Sequence, residues 1–277
     1  MIQDIAPKRL INAYDKEAEP KADDKVVIAR NGLLLLKANE TDREIIFPTV
    51  GQIPSEDYVY LFSVDNERFF ILFGDREVTI PEGFEFLDIR KIRKWDLKPR
   101  HLVFAAFTAH HLANWYSSNR FCGTCATRLV PDKTERALYC GCCNKKIYPR
   151  INPAVIIGVK NGDRILITKY RTGFAHNALV AGFTEIGETL EETVQREVME
   201  EVGLKVKNIS YYKSQPWGIA DDLLVGYYCD VDGDDDISMD ESELKYAEWV
   251  RREDIVLQPL DYSLTNEMMK RFRDGLI

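Results

Sequence analysis

The first third of the chain has the hydrophobic pattern of short β-strands. Up to about residue 97, apolar and aromatic runs alternate with polar residues at the period of a strand. The sequence predicts strands at these runs: KVVIA, GLLLLKA, EIIFPTV, YVYLFSV, RFFILFG, EVTI and FEFLDI. Asp65 and Asn66 separate two of the runs and predict a hairpin. After Pro99 the apolar spacing becomes that of a helix, which leads into a group of cysteines.

The second half of the chain predicts strands and helices in alternation. AVIIGVK and RILITKY, joined by NGD, predict a hairpin of two buried strands, and LVAGF predicts a third strand. A helix follows, then strands at NISYYKSQPW, DLLVGYYCDV and AEWV, and a last helix near residues 263–273. We therefore expect a β-rich domain that ends in a helix over residues 1–118, a cysteine-rich segment over 119–148, and an α/β domain over 149–277.

One predicted helix carries carboxylates on its apolar side. Thr189 and Glu192 form a capping-box pattern that starts this helix, and a glycine at position 203 is typical of its end. At about 100° per residue, Glu197 and Glu201 fall on the stripe formed by the helix valines, with Glu200 beside them. A solvated face with salt bridges does not explain these two positions. Half-buried carboxylates repel one another, and a hard cation such as Mg²⁺ or Mn²⁺ removes that repulsion.

The same segment carries a complete family motif. From Gly182 to Leu204 the sequence matches every fixed position of the Nudix box, G-x5-E-x7-R-E-U-x-E-E-x-G-U, where U is a bulky aliphatic residue. The chain therefore resembles a Nudix hydrolase. The resemblance implies an α/β/α sandwich that uses Mg²⁺ or Mn²⁺ to cleave a nucleoside diphosphate linked to another moiety.

The resemblance also implies roles for residues of the box. The implied metal ligands are Glu197, Glu200, Glu201 and the carbonyl of Ala181. By the same match, Glu188 helps to close the site and Arg196 holds a glutamate in place. Glu201 is our first choice for the group that accepts the proton of the attacking water.

A second metal pattern precedes this domain. Cys122, Cys125, Cys140 and Cys143 form two C-x2-C pairs, the spacing of a zinc ribbon. Four thiolates leave no open position on the metal, so we expect a structural Zn²⁺ whose binding stabilises the fold. Cys142 lies between two of these ligands and is an alternative to Cys143.

Composition limits the class of protein. The 277 residues are 45% hydrophobic and 30% charged, as in soluble globular proteins, and suggest about two domains of roughly 150 residues. No apolar run is long enough to span a bilayer, and the first residues lack the apolar centre of a secretory signal, so we expect a cytoplasmic protein with no membrane contact. The net charge of -8 argues against general binding of polyanions.

Three features outside the box resemble the NADH pyrophosphatase branch of the family. They are the four-cysteine ribbon, the link YPRINP, and SQPW at positions 214–217. In that branch Glu243 is a further metal ligand, and the protein is a homodimer. The residues that the resemblance places around the dinucleotide are Tyr148, Glu135, Phe183, Ser214, Gln215 and Trp217. For either Phe183 or Trp217, packing in the core is the alternative.

The loop after SQPW departs from this branch. The branch continues with PFPxS, whereas this chain has GIADD, residues 218–222. Asp221 and Asp222 would repel a phosphate unless they bind metal or face solvent. We therefore expect hydrolysis of NADH or NAD⁺ to AMP and the nicotinamide mononucleotide, with removal of an NAD cap from RNA as a second activity. The alternatives are another dinucleotide or nucleotide sugar such as ADP-ribose, and a nucleotide-sensing regulator without turnover.

An acidic loop, DVDGDDDISMDE at positions 230–241, has carboxylates at several positions of an EF-hand loop. Asp235 stands where that loop requires glycine, and strands are predicted on both sides. A solvated acidic loop is the preferred interpretation, and calcium binding is the alternative.

Overall fold

The chain forms two compact units in the computed structural model, which describes residues 1–74, 77–172 and 176–277. The N-terminal unit comprises Ile2–Arg150 together with the short segment Gly218–Asp221. The C-terminal unit comprises Met1, Ile151–Trp217 and Asp222–Ile277. The three-domain division stays a prediction.

Within its described residues, the N-terminal unit contains eleven short strands and two helices. The strands are β1 (Leu10–Ile11), β2 (Lys25–Val27), β3 (Ala29–Arg30), β4 (Leu33–Asn39), β5 (Glu44–Ile46), β6 (Tyr58–Val64), β7 (Glu67–Leu72), β8 (Glu85–Leu87), β9 (Val130–Pro131), β10 (Leu138–Cys140) and β11 (Lys145–Ile147). The helices are α1 (Ile89–Ile92) and α2 (Arg100–Ser118). One sheet has the order β1-β6-β7-β2, β4 pairs with β3, β5 and β8, and the cysteine-rich segment forms the sheet β11-β10-β9.

Most elements predicted for this unit are confirmed. Strands β6 and β7 form the predicted hairpin, and Asp65 in its turn has a left-handed φ of 51°, which aspartate tolerates. The apolar residues that predicted α2 are buried in the structure: Leu102, Ala105, Ala106, Ala109, Leu112 and Trp115. None of the helices in the described ranges combines the length and the apolar character needed to cross a membrane.

The predicted strand at EVTI is wrong. Residues 77–80 form no strand, and the side chain of Ile80 is 43% exposed. Pro81 follows directly and lacks the backbone N–H that a strand ladder needs. The run at 77–80 therefore pairs with no described strand. Helix α1 and the two-residue strands were not predicted, because elements of this length carry no periodicity.

The C-terminal unit is built on one six-stranded mixed sheet. Its strands are β12 (Asn152–Asn161), β13 (Arg164–Tyr170), β14 (Val180–Phe183), β15 (Val206–Trp217), β16 (Asp222–Val231) and β17 (Leu244–Arg251). The order is β15-β16-β12-β13-β17, and β14 pairs with the first half of β12. Strands β12 and β16 run parallel, while the other pairs are antiparallel. Helices α3 (Leu190–Val202) and α4 (Leu264–Arg273) complete the unit, with a single 3-10 turn at Arg252–Asp254.

Alternate residues of β16 contact the two helices from opposite faces of the sheet. Val225, Tyr227 and Cys229 belong to the core cluster that contains the buried valines of α3. Tyr228 points the other way, and its hydroxyl donates a hydrogen bond to the Met268 carbonyl of α4 at 2.9 Å. Because successive strand residues face opposite sides, this pattern places one helix on each face. The predicted α/β/α sandwich is confirmed.

Replacing Val198 with alanine should lower the free energy of unfolding of the C-terminal unit by about 2 kcal/mol, because the substitution leaves a cavity beneath α3. Urea unfolding followed by circular dichroism measures the change. Met199, the next residue, is 43% exposed, so Met199→Ala should change stability by less than about 0.5 kcal/mol. Equal losses in both variants would contradict the assignment of the core face of α3.

Candidate functional site

Helix α3 begins and ends at the residues that the sequence predicted. The Thr189 hydroxyl accepts a hydrogen bond from the Glu192 amide, and the Thr189 amide donates to the Glu192 carboxylate at 2.8 Å. Gly203 ends the helix with a left-handed φ of 71°. The capping box and the glycine define the ends of the helix, and the packing of its valines in the core determines which of its glutamates face the sheet.

Glu201 is the buried carboxylate of this helix. Its side chain is on the core face with Val198 and Val202, and the residue is only 3% exposed. Burial raises the pKa of Glu201 to about 8, and the nearby charges of Glu197 and Glu243 act in the same direction. Because the charged form is disfavoured there, a cation beside this carboxylate would restore its charge.

Glu197 lies against strand β14 at a glycine. A Cβ atom on Gly182 would lie only 1.9 Å from the Glu197 carboxyl carbon, so the glycine of the box is required for this placement. Burial raises the pKa of Glu197 against the opposing effect of Arg196, and the charges of Glu200 and Glu243 add to the rise. A half-buried carboxylate beside a glycine backbone is a suitable ligand for a divalent cation.

Arg196 connects the helix to the loop that precedes it. Its Nε and Nη2 donate to both carboxylate oxygens of Glu188, at 2.5 and 2.9 Å. Nη1 donates to Glu197 at 2.7 Å and to Glu200 at 2.9 Å, and Nη2 also donates to the Phe183 carbonyl at 2.8 Å. The hydrogen bonds from Arg196 lower the pKa of Glu188 to about 2, so this carboxylate stays charged. Arg196 therefore holds the segment between β14 and α3 in one conformation.

The predicted metal ligands are brought to one end of the sheet but do not converge fully. Within the described part of the chain, the groups of ligand atoms that lie within 4.8 Å of one another are four cysteines and three aspartates, not the box glutamates. Glu197 and Glu200 both contact Arg196, whereas Glu201 contacts the Tyr170 hydroxyl instead. Glu243 is exposed just before β17, and its carbonyl accepts a hydrogen bond from the Arg171 amide at 2.9 Å.

Tyr170 is the residue of this site that the sequence analysis missed. Its hydroxyl donates to Glu201 Oε1 at 3.0 Å and accepts from the Ala181 amide at 3.2 Å. Burial raises the pKa of Tyr170, and the neighbouring Glu201 charge adds to this rise, so the phenol stays protonated. Tyr170 lies outside the family motif at the end of β13, where apolar periodicity predicts only a strand residue.

The predicted substrate residues of the C-terminal unit differ in exposure. Phe183 is 53% exposed, whereas Trp217 is 8% exposed and packs in the unit. Gln215 is fully buried, and both ends of its amide are engaged: Nε2 donates to the Tyr262 carbonyl at 2.7 Å, and Oε1 accepts from the Leu264 amide at 2.6 Å. In this structure Gln215 therefore anchors the start of α4. Ser214, its neighbour in β15, pairs with Val225.

Tyr148 and Glu135 lie together in the N-terminal unit. The Tyr148 hydroxyl donates to Glu135 Oε1 at 3.1 Å, and Lys146 donates to the same oxygen at 2.6 Å. Lys146 also pairs with Asp132 at 3.1 Å. Tyr148 is 54% exposed, so its ring is accessible while its hydroxyl is fixed.

The two carboxylates of the loop that departs from the family pattern differ in their surroundings. In the N-terminal unit, Asp221 Oδ1 lies 3.8 Å from His111 Nε2 and makes no hydrogen bond with a described residue. Its φ of 62° is left-handed. Asp222, in the C-terminal unit, is 6% exposed and accepts a hydrogen bond from Asn152 at 3.5 Å. The two acids are accommodated by an imidazole and an amide.

Gly218 permits this loop to approach α2 closely. A Cβ atom at this position would lie 2.1 Å from the Phe107 carbonyl oxygen, which is a backbone atom that cannot move aside easily. The glycine that stands where the family has proline therefore has a packing reason within the N-terminal unit.

The four predicted zinc ligands form one cluster. The ligand sulfurs of Cys122, Cys125, Cys140 and Cys143 all lie within 4.8 Å of one another. Two of the distances, Cys122 to Cys143 at 4.0 Å and Cys125 to Cys140 at 3.5 Å, bracket the separation of about 3.8 Å that a tetrahedral site with Zn–S bonds of about 2.3 Å requires. Cys142 is exposed and outside the cluster, which favours Cys143 as the fourth ligand.

The acidic loop after β16 is anchored to the β12–β13 hairpin. The Asp235 carboxylate accepts hydrogen bonds from Arg164 at 2.8 Å and Asn161 at 2.5 Å, and the Asp235 carbonyl accepts from the Trp249 indole at 2.8 Å. Asp235, which replaces the glycine of an EF-hand loop, thus has a structural role here.

Two parts of the chain match family models of known domains. Residues 150–272 match the family model of the NUDIX domain, and residues 117–148 match that of the NADH pyrophosphatase zinc ribbon domain. The second match covers the cysteine cluster, and the first covers the six-stranded sheet with α3 and most of α4.

Individual relatives are similar over the same region. The NAD-capped RNA hydrolase NudC of Enterobacter sp. (strain 638) is 44% identical over 151 residues, 53% of this chain and 57% of that protein. The protein of the same name from Shigella dysenteriae serotype 1 is 40% identical over 162 residues, 57% of this chain and 62% of the relative. The chain thus spans less than two thirds of the length of these curated relatives. A crystal structure of a NUDIX hydrolase from Nitrosomonas europaea has a TM-score of 0.47 at 16% identity, over 56% of this chain and 91% of that one.

Cys122→Ser should remove bound zinc and lower the melting temperature of the N-terminal unit, because metal binding contributes folding free energy there. Zinc content by elemental analysis and thermal unfolding by calorimetry measure both effects. Cys142→Ser is the matched control and should keep the wild-type zinc content, since Cys142 is exposed and outside the cluster. Zinc loss in the control, or full zinc content in Cys122→Ser, would contradict the ligand assignment.

Without divalent cations, the C-terminal unit should lose stability as the pH rises from about 4.5 to 8. The folded pKa of Glu201, about 8, is raised above its ordinary value, so the folded state holds a proton that the unfolded state has released. Glu201→Gln should remove most of this pH dependence and be more stable than the wild type at pH 8 by a few kcal/mol. Urea unfolding at pH 5 and pH 8 tests this, with Glu191→Gln on the exposed face as the control. Parallel pH curves for wild type and Glu201→Gln would contradict the burial of this charge.

Proposed function

We propose that this chain, a Nudix protein with an NADH pyrophosphatase zinc ribbon, hydrolyses the pyrophosphate bond of NADH or NAD⁺ to AMP and the nicotinamide mononucleotide. The observation that carries the proposal is the pair of carboxylates one helical turn apart, Glu197 half-buried against the box glycine and Glu201 buried beside Tyr170. A structural helix has no need of such a pair, and its mutual repulsion is relieved by cations.

The residues that would hold Mg²⁺ or Mn²⁺ are the Ala181 carbonyl, Glu197, Glu200, Glu201 and Glu243. These are hard oxygen donors, which such cations prefer. When bound, the cations neutralise charge on the pyrophosphate and lower the pKa of a water molecule.

The protein side chains then do two things. Arg196 keeps Glu188 and the preceding loop fixed through its two-oxygen contact, so that the glutamates stay aligned with β14. Glu201, ionised beside a cation, accepts the proton of the attacking water. It is suited to this role because it is shielded from bulk solvent.

The dinucleotide is proposed to be recognised by aromatic stacking and polar contacts. The exposed ring of Phe183 offers a face to a flat nicotinamide or adenine. Tyr148 and Glu135 supply a fixed hydroxyl and a carboxylate, with Trp217 and Ser214 as further proposed contacts. Gln215 would support the dinucleotide site indirectly, since both ends of its amide already bind the backbone at the start of α4.

Removal of an NAD cap from RNA is a second proposed activity. It is supported by the relatives of 40–44% identity, whose name is NAD-capped RNA hydrolase. The basic side chains proposed to contact the RNA chain are Lys145, Lys146, Arg150 and Lys169. The net charge of -8 predicts a contact confined to a small patch.

The setting of the enzyme is also a proposal. We place it in the cytoplasm, because none of the six cysteines forms a disulfide, as expected in a reducing compartment. A homodimer with no membrane contact is proposed from the family resemblance.

Purified protein incubated with Mg²⁺ or Mn²⁺ should release AMP from NADH or NAD⁺ faster than from ADP-ribose or diadenosine compounds, as measured by chromatography of the products. Glu201→Gln should lower kcat by about 10²-fold or more while the circular dichroism spectrum is unchanged. An NAD-capped oligonucleotide tests the second activity. Cleavage of none of these compounds would refute the enzyme and favour a nucleotide-sensing regulator, and preference for ADP-ribose would refute the dinucleotide substrate.

A further inference from the structure

Tyr170 lies where the sheet changes its pairing. It is the last residue of β13, and the register with β17 shifts between Lys169 and Tyr170. Such an irregularity bends a strand and changes the direction of a side chain. The ring of Tyr170 packs against the core cluster that contains the α3 valines, so its hydroxyl reaches the buried side of that helix.

The hydroxyl contacts two of the proposed metal ligands at once. It accepts from the Ala181 amide at 3.2 Å and donates to Glu201 Oε1 at 3.0 Å. The Ala181 carbonyl oxygen lies 3.3 Å away and Glu201 Oε2 lies 3.4 Å away. A phenol has one proton to donate, and the shortest of these contacts is to Oε1. The Ala181 carbonyl and Glu201 Oε2 therefore keep lone pairs for another partner.

We propose that Tyr170 is a positioning residue that holds the Glu201 carboxylate against the Ala181 backbone, so that Oε2 and the Ala181 carbonyl face the same cation. This inference rests on the proposed function, because it assigns the partner of that site. The phenol determines which oxygen of Glu201 is used by the protein and which one is left for the metal. Hydrogen-bond partners of metal ligands fix ligand orientation in this way.

The backbone of a further proposed ligand, Glu243, lies at the same strand end. Arg171, next to Tyr170, donates its amide hydrogen to the Glu243 carbonyl at 2.9 Å. Leu244, beside Glu243, is the residue that pairs with Tyr170 in the ladder. The shifted register thus connects the backbone of Glu243 to the tyrosine that orients Glu201, and β13 links ligands that are far apart in sequence.

If Tyr170 only filled the core, removal of its hydroxyl would leave metal binding unchanged. Tyr170→Phe keeps the ring and removes only the hydroxyl. Tyr227→Phe is a matched control, because the Tyr227 hydroxyl donates to a carboxylate of the same helix, Glu191, at 3.2 Å. Glu191 is exposed and outside the proposed ligand set.

The test is a titration of the full-length, zinc-loaded protein with Mn²⁺ alone, with free Mn²⁺ measured by electron paramagnetic resonance. Tyr170→Phe should weaken Mn²⁺ binding by about tenfold or more, and Tyr227→Phe should leave it unchanged. At saturating Mn²⁺, Tyr170→Phe should lower kcat for NADH by about tenfold and change KM by less than about twofold. Wild-type Mn²⁺ affinity in Tyr170→Phe would overturn the proposal.

A double-mutant cycle shows whether Tyr170 acts through Glu201. In a Glu201→Gln background, Tyr170→Phe should weaken Mn²⁺ binding by less than about twofold. Equal losses in both backgrounds would overturn the proposal. Because the cycle compares the same substitution twice, a cost that it imposes on the fold cancels. Failure of the proposed function would appear separately, as wild-type protein that binds Mn²⁺ but cleaves no dinucleotide.

Discussion

The burial of a carboxylate on the apolar face of a helix is the constraint on which the C-terminal unit depends. Glu201 occupies a position between Val198 and Val202 that an aliphatic residue would fill at no electrostatic cost. A charged group there is destabilised by desolvation and by the neighbouring carboxylates. The fold keeps this unfavourable group because the hydrophobic contacts of the same helix, made by valines on both sides of it, offset the cost.

Several other features of the unit follow from that constraint. Gly182 leaves room for Glu197 beside the strand, and Arg196 joins two further glutamates to the loop before the helix. Tyr170, at the end of β13, donates a hydrogen bond to Glu201 from a neutral hydroxyl. Arg196 is thus the shared counter-ion of Glu188, Glu197 and Glu200, whereas Glu201 has a neutral partner. This arrangement is what a pyrophosphate accompanied by divalent cations requires.

The parts of the fold that could be predicted from sequence are those with strong local signals. The capping box at Thr189, the glycine at position 203 and the apolar spacing of α2 each depend on neighbours within a few residues, and all are confirmed. The strand predicted at EVTI was wrong because a strand also needs a neighbouring strand to pair with, and the local sequence does not reveal one. For the site, the spacing of the box predicted Glu197 and Glu201 on the apolar face, and the structure buries Glu201 and half-buries Glu197. The contact of Tyr170 with Glu201 crosses 31 positions and depends on a register shift, so no local pattern could indicate it.

The loop at residues 218–222 is a second place where the sequence did not show the contacts made in the fold. Its sequence suggested repulsion of a phosphate, because only its charges were visible. In the structure each aspartate has a protein group beside it, and Gly218 is required for close contact with α2. The replacement of the family proline by Gly218 is therefore explained by packing against α2 in the N-terminal unit.

The central claim is that a protonated, buried Glu201 becomes ionised when a divalent cation binds. Calorimetric titration with Mn²⁺ at pH 7, repeated in buffers of different ionisation enthalpy, counts the protons released on binding. The structure predicts release of about one proton by the wild type and close to none by Glu201→Gln, because the pKa of this carboxyl is about 8 before the cation arrives. Equal proton release by the two proteins, or none by the wild type, would contradict the claim.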